Sequence, residues 1–341
     1  EKKLFIITKY QKMELVANYN PIEMIQEVSQ VVQKSASNFI GANTVEVSLE
    51  HIQNKCIVPV FAKDNEVTIS HYGFINSVKE VVKSVYSDID IITPSIRASH
   101  QIKGRIPSAI GKPVKELLAH EKTIYYERIA FMIEIPNKQV VVNDQILNLT
   151  IGGVRAYNQE NLFSKKSIEK FKVFIGYKNT VCTNLCIATD GLQSEIRVSS
   201  IPELQECIYN LIQGYDQEAH LGVMERMSKF QLSEQEFAHL LGKMRMYHFL
   251  SKEERKTKFP LQLTDSQIGI ITKNYFTDKN FKRTNNKMIN LWQVYNLFTE
   301  ANKSSYIDTN LERNVSAYEF IQMLGFYREN GQNNFFNHII I

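Results

Sequence analysis

Cysteine is scarce in this 341-residue chain: Cys56, Cys182, Cys186 and Cys207 are too few to form a disulfide framework at this length. A reducing, cytoplasmic setting is expected. Long apolar runs are missing as well. None approaches the ~18–20 residues of a membrane span, so no membrane partner is expected. The opening "EKKLFIITK" holds too short an apolar stretch for a signal-peptide core of about 7–15 residues. It also lacks an initiator methionine. Met13 is the expected start, and residues 1–12 are read as a disordered upstream extension.

Catalytic signatures are equally sparse. No G-x-G-x-x-G fingerprint and no G-x-S-x-G elbow occurs. "GRIPSAIGKP" only resembles a phosphate loop, because six residues separate Gly104 from Gly111 and Pro113 stands where a magnesium-binding hydroxyl belongs. "HEKTI" has Ile124 in place of the second histidine of a zinc-protease helix. Ser167 and Lys170 match S-x-x-K by letter alone. On one strand Cys182 and Cys186 would stand ~13 Å apart, too far to share a metal without a turn, and read as packing residues of a small-residue face with Asn184 and Ala188. His71 and His100 read as satisfied structural histidines. Asp88, Asp90, Glu127 and Glu134 are the acids a metal-dependent nuclease would recruit, which is the weakest of the readings. No catalytic residue, metal or cofactor is expected.

The chain does hold enough apolar material, 43% of residues, for a sizeable core. From Val45 to Ala188 the pattern has period two, with short turn-rich connections, and predicts an antiparallel sheet. "CIVPVF" reads as an edge strand broken by Pro59. Ser70 predicts the N-cap of an amphipathic helix over "HYGFINSVKEVVKSVY". After Ser199 the period becomes 3.6, with Pro202 opening one helix and Ser233–Glu236 forming a capping box. The expected fold is α+β, with a sheet-rich N-terminal half and a helical C-terminal half. The segments are 1–12, an N-terminal piece at 13–44, a β-rich domain at 45–197, a helical domain or layer at 198–330 and a tail at 331–341.

Charge is unevenly spread. The net charge is +4, yet residues 97–178 carry 14 Lys and Arg against 7 Asp and Glu, which points to an anionic partner. Strand alternation gathers much of this charge. "IRASHQIKG" places Arg97 and Lys103 away from its apolar face. "IYYERIAFMIEI" does the same with Tyr126 and Arg128. "KFKVFIGYK" turns Lys170 and Lys172 outward around Phe174. A bulge at Gly152–Gly153 would turn Arg155 and Tyr157 outward too. With Arg105, Lys165 and Lys166, these residues form a candidate open face on which cations meet phosphates and rings stack on free bases. Single-stranded DNA or RNA is the expected partner.

Several long stretches carry a family likeness: "SNFIGANTVEVSLEHI", "HQIKGRIPSAIGKPV", "KTIYYERIAF", "IGGVRAYNQENLFSKKSIEKFKVFIGYKNTVC" and "LFTEANKSSYID". From about Met13 to Phe320 the chain closely resembles the bacterial domain of unknown function 3871 family, and more distantly the phage/plasmid-like proteins of unknown function. The ending "NNFFNHIII" departs from the family's usual close. The resemblance implies a setting on phages, plasmids and other mobile elements of gut anaerobes. It brings matched positions without roles: Gly152, Gly153, Arg155, Tyr157, Asn158, Lys165, Lys166, Asn302, Lys303, Ser304, Ser305, Tyr306 and Asp308. The expected function is non-catalytic single-strand binding or annealing. A structural protein that binds a host or phage protein is the alternative, and a homo-oligomer is compatible with either.

Overall fold

The computed structural model describes residues 38–56, 68–86, 93–160 and 168–337. Its centre is a hairpin of two long strands, β5 (Arg128–Val142) and β6 (Gln145–Ala156). Asn143 and Asp144 join them with φ of 50° and 63°, the left-handed pair that matches a two-residue turn to strand twist. The strand β7 (Glu169–Asn179) lies antiparallel to β6. At the other side β5 pairs with β2 (Ser95–Ala98), and β2 with β1 (Val45–Glu46). Both β8 (Leu185–Cys186) and β9 (Leu192–Val198) pair with β7, completing a seven-stranded antiparallel sheet among the described residues. Two further strands, β3 (Gln101–Arg105) and β4 (Lys122–Tyr126), pair only with each other and form a separate arm.

One sheet face is closed by α2 (His71–Val85), which follows α1 (Leu49–Lys55), and by α3 (Ile201–Gly214). Ser70 caps α2 as the sequence predicts, accepting from Gly73 N at 2.9 Å. The apolar stripe of α2 drives Phe74 between Phe131 and Phe171, with ring centroids at 5.1 and 4.8 Å. The remaining helices are α4 (Gln217–Met227), α5 (Glu234–Tyr247), α6 (Lys252–Lys256), α7 (Asp265–Thr277), α8 (Leu291–Asn302) and α9 (Ile307–Glu329). Ser233 and Glu236 form the expected capping box on α5. A short ribbon, β10 (Gln231–Ser233) with β11 (Met288–Asn290), interrupts the helical half where no strand is predicted. The fold is α+β, as the two periodicities imply.

The opposite sheet face is not open. Ala130, Met132, Val154 and Phe174 bury themselves beneath Ile307, Leu311 and Val315 of α9, with Phe39 and Ile40 beside them. Each such aliphatic or aromatic side chain contributes about 1.5–3 kcal/mol when fully buried. The near-continuous apolar run from Phe171 to Tyr177 marks a strand covered on both faces, not one with a solvated side. The Gly152–Gly153 bulge is corrected as well. Gly152 pairs with Met132 and Gly153 with Phe131, with no break in register. The glycines serve close approach: a Cβ on Gly153 would stand 2.5 Å from the Phe74 ring, and one on Gly152 at 2.1 Å from the Phe131 carbonyl oxygen.

Other local expectations change in detail. "IRASHQIKG" and "IYYERIAFMIEI" each divide between the sheet and the arm, so neither is one strand. His100 lies exposed in the link between β2 and β3. Cys182 lies in a turn and only Cys186 on a strand, so the two share no strand face. All four thiols are free. Burial pushes the Cys182 thiol up to about 12 and raises that of Cys186. "CIVPVF" beyond Cys56, Met13, Asp88 and Asp90 lie outside the described residues.

Candidate nucleic-acid interface

Register fixes where each expected contact residue goes. Arg155 stays on the core face of β6 and is 0% exposed. Its Nε donates to Glu160 at 3.0 Å, its Nη2 donates to Glu169 at 2.9 Å, and its Nη1 donates to the Ile69 carbonyl. The guanidinium lies 4.6 Å from the rings of both Tyr157 and Phe171. Burial opposes the Arg155 charge, but Tyr157, Glu160 and Glu169 outweigh it and hold its pKa above the ordinary value. Burial likewise pushes the Tyr157 phenol up to about 12. Arg155 therefore ties the approach to α2 onto β6 and β7.

Most of the other sheet residues are buried or paired. Lys172 is buried beneath α9, its ammonium donating to Asp308 O at 2.6 Å and pairing with Glu312. Phe174 is buried in the cluster under α9. Arg97 is buried against residues 38–46, donating to Asn38, to the Thr44 hydroxyl and carbonyl, and lying 3.9 Å from Glu46. Tyr126 is buried, with its hydroxyl 3.1 Å from His51 Nε2. Arg128 lies 3.8 Å from Asp308 and 3.7 Å from Glu127, and Lys170 pairs with Glu195 at 2.6 Å. Tyr157 packs on His71 with ring centroids 4.7 Å apart. These residues face the interior or their own counter-ions, so among the described residues the sheet presents no open face of the expected kind. Lys165 and Lys166 lie outside the described residues.

The family-motif residues also resolve into local structure. Asn302, Lys303, Ser304 and Ser305 form the corner between α8 and α9. Asn302 Nδ2 donates to Arg313 O at 2.9 Å, and Ser305 Oγ accepts from Gln267 at 2.9 Å and Arg313 at 3.2 Å. Ser304 Oγ donates to Ala301 O at 2.7 Å. Lys303 pairs with Glu300 and donates to the Cys182 carbonyl, while its own carbonyl accepts from Gly41 N at 2.8 Å. Asp308 receives Arg128 and Lys172 as above. Tyr306 and Asn158 are exposed. Of the nuclease acids, Glu134 pairs with Lys178 and accepts from Asn148 at 2.7 Å. No group of three or more His, Cys, Asp or Glu side chains is placed to hold a metal among the described residues.

Two expected residues, Lys103 and Arg105, come together on the arm with three that the outward-face reading does not include: Lys112, Lys115 and Lys122. Register sets Lys103 opposite Ile124 and Arg105 directly opposite Lys122. Lys103, Arg105 and Lys122 therefore share one face, with Lys103 and Lys122 exposed, Arg105 half-buried and Tyr126 buried at the sheet end of that face, while Thr123 and Tyr125 on the alternate face are buried. Like charges directly opposite on a ladder repel, so this pairing has a cost that an anion would remove. Lys103, Lys115 and Lys122 have no ion-pair partner among the described residues. The connecting loop is tied to itself. Ile106 N donates to Glu121 O at 3.0 Å, Leu118 N donates to the Glu121 carboxylate at 2.9 Å, and Lys112 pairs with that carboxylate. Lys112 holds the Glu121 carboxyl below the usual range. The sequence signal for this group was the run of basic residues between Lys103 and Lys122, interrupted by a turn-like "IPSAIGKP".

No curated protein and no solved structure gives a match. A family profile described as "Domain of unknown function, B. Theta Gene description (DUF3871)" matches residues 19–336, so it spans the sheet, the arm and the helical half and reaches beyond Phe320. The chain belongs to that family, the domain of unknown function 3871 family.

Proposed function

We propose that the protein is a non-catalytic nucleic-acid-binding protein whose arm, β3 with β4 and their connecting loop, holds the phosphate backbone. The observation that carries this reading is the pairing of Arg105, whose guanidinium donates to the Lys112 carbonyl but meets no carboxylate among the described residues, with Lys122, flanked by Lys103 on the same face. Phosphate oxygens are the anions that such a row accommodates, and their contacts supply affinity without reading sequence. A cytoplasmic role in replication or recombination of a mobile element fits this chemistry and the resemblance noted above. Anisotropy of a labelled oligonucleotide titrated at about 50–200 mM salt tests it. Log affinity is expected to fall linearly with log salt, and replacing Lys103, Arg105 and Lys122 by Glu is expected to flatten the slope by about 2–3. Lys103 and Lys122 are exposed, while Arg105 is half-buried and donates to the Lys112 carbonyl, so circular dichroism of the variant is run beside the titration to check that the fold is kept. Absence of binding at low salt overturns the reading.

A protein-binding role is the second reading, favoured by one feature. Phe249 is 89% exposed, and Met246, one turn earlier at the end of α5, is also exposed. If this pair seats a second copy, light scattering will report a dimer that Phe249→Ser dissociates. A monomer at all concentrations would remove the homo-oligomer from consideration.

A further inference from the structure

We infer that the arm takes duplex nucleic acid, with the aliphatic tip of its loop entering the major groove of B-form DNA while Lys103, Arg105 and Lys122 hold the adjoining phosphates. This rests on the reading above and goes further by choosing between ligand forms. The first ground is what the arm presents. A single-strand site needs flat rings on which bases stack. Yet Tyr126, Tyr157 and Phe174 are buried, and Tyr125 of the arm is buried too. In their place the tip exposes three aliphatic side chains, Ile110 at 54%, Val114 at 41% and Leu118 at 55%. Aliphatic groups are poor stacking platforms, but they suit the methyl-bearing base edges of a groove floor.

The second ground is shape and preorganisation. A ribbon of five paired residues is ~17 Å long, with strands ~4.8 Å apart. With side chains, a ribbon of this width fits a major groove ~12 Å wide, but not a minor groove of ~6 Å. The deep, narrow major groove of A-form RNA is closed to side chains. The tip is already set: Glu121, buried at its base, gathers Leu118 N and the Lys112 ammonium, and Ile106 closes the ladder above it. The aliphatic side chains thus project from a fixed loop, between the lysines and not in place of them. Charge complementarity favours a polyanion over an apolar protein partner for this patch, since Lys112, Lys115 and Lys122 flank the aliphatic residues in sequence.

The test uses the full chain with one sequence prepared as single-stranded DNA, duplex DNA and duplex RNA, under equal salt. Duplex DNA is expected to bind about tenfold more tightly than either alternative. Methyl green, a major-groove ligand, is expected to displace the protein, and netropsin, a minor-groove ligand, is not. The double variant Ile110→Ser with Leu118→Ser alters only exposed side chains and is expected to abolish the duplex preference while leaving the salt slope in place. Equal or tighter binding of single strands, or displacement by netropsin alone, overturns the duplex inference and leaves phosphate binding intact. Failure to bind any of the three forms overturns both.

Discussion

A guanidinium with no solvent exposure persists only where its neighbours supply what water would have given. Arg155 has two carboxylates, a backbone carbonyl and two aromatic faces. Removing one partner from such a buried set strands the others, so Arg155→Ala is expected to cost about 3–5 kcal/mol in urea unfolding. Arg155→Lys should recover little of it, because an ammonium cannot fork to Glu160 and Glu169 at once. A small loss for Arg155→Ala would show that the network is not a fastening. Two histidines give a pH signature at the same scale. Burial, then the Arg155 charge, lowers His71 to about 3, against a hydrogen bond to the Tyr126 carbonyl at 2.7 Å. Burial alone lowers His220 to about 3, among Tyr177, Tyr215 and Tyr318. Both depressions leave the folded state unprotonated where the unfolded chain already takes protons. Their stabilisation is full above pH 6.5 and is lost as pH falls from 6.5 toward 3, by about 1.4 kcal/mol per unit for each histidine. Depressed carboxylates such as Glu236 act only below their ordinary value of 4.5, so between 6.5 and 4.5 these histidines set the slope together with His51, which burial also lowers, and against the Glu169 carboxyl, which burial raises. His220→Phe should lower the slope of stability against pH there by about 1.4 kcal/mol per unit. An unchanged slope would mean that His220 binds its proton equally in the folded and unfolded chains.

Between residue and molecule, α9 decides what the sheet can do. Its first turns place Ile307, Leu311 and Val315 over Phe174 and Met132, while Asp308 O and Glu312 receive Lys172 from β7. If the sheet face were the nucleic-acid surface, Lys172→Met would weaken binding. With the arm as the surface, it should leave oligonucleotide affinity within about twofold, and the methionine replaces the lysine stem beneath α9. Anisotropy on this variant beside the Lys103, Arg105 and Lys122 variant separates the two surfaces directly. The elements themselves were legible in the sequence: Ser70 and the stripe of α2, Pro202 in the first turn of α3 and the box of α5 all act locally. What sequence alternation could not reveal was the second covering of β6 and β7, because α9 lies more than a hundred residues away. The run "FKVFIGY" held that information, but its lysine at position 172 read as solvent-facing when it snorkels to a distant carboxylate. Most of the expected contact residues are covered with the face, whereas Lys103 stays exposed and Arg105 partly so because the arm leaves the sheet before α9 reaches it.

At the scale of the molecule, the change of texture near Ser199 does not mark a seam in the core. Tyr177 of the sheet meets His220 of α4, whose ring meets Tyr318 of α9, and one apolar cluster runs from Val47 to Phe336. Asn184, beyond the end of β7, donates to the Asn296 carbonyl in α8 at 3.0 Å, and Lys303 reaches the Cys182 carbonyl from the following corner. Both sheet faces therefore depend on helices drawn from the second half of the chain. A sheet stripped of them would expose Phe174, Met132 and Leu311's entire footprint to water. The two textures are expected to unfold together. Trp292, the single tryptophan, is buried in α8 and reports the helical half, while far-ultraviolet circular dichroism follows the strands as well. Their urea transitions should coincide in midpoint and slope. A fragment ending at Ser199 should bind a hydrophobic dye and lack a cooperative transition, since it keeps β6 and β7 but loses α3 and α9. Two separated transitions, or a cooperative fragment, would mean that the sheet stands by itself. In that case α9 would be a removable cover, and the basic side chains beneath it would become available after all.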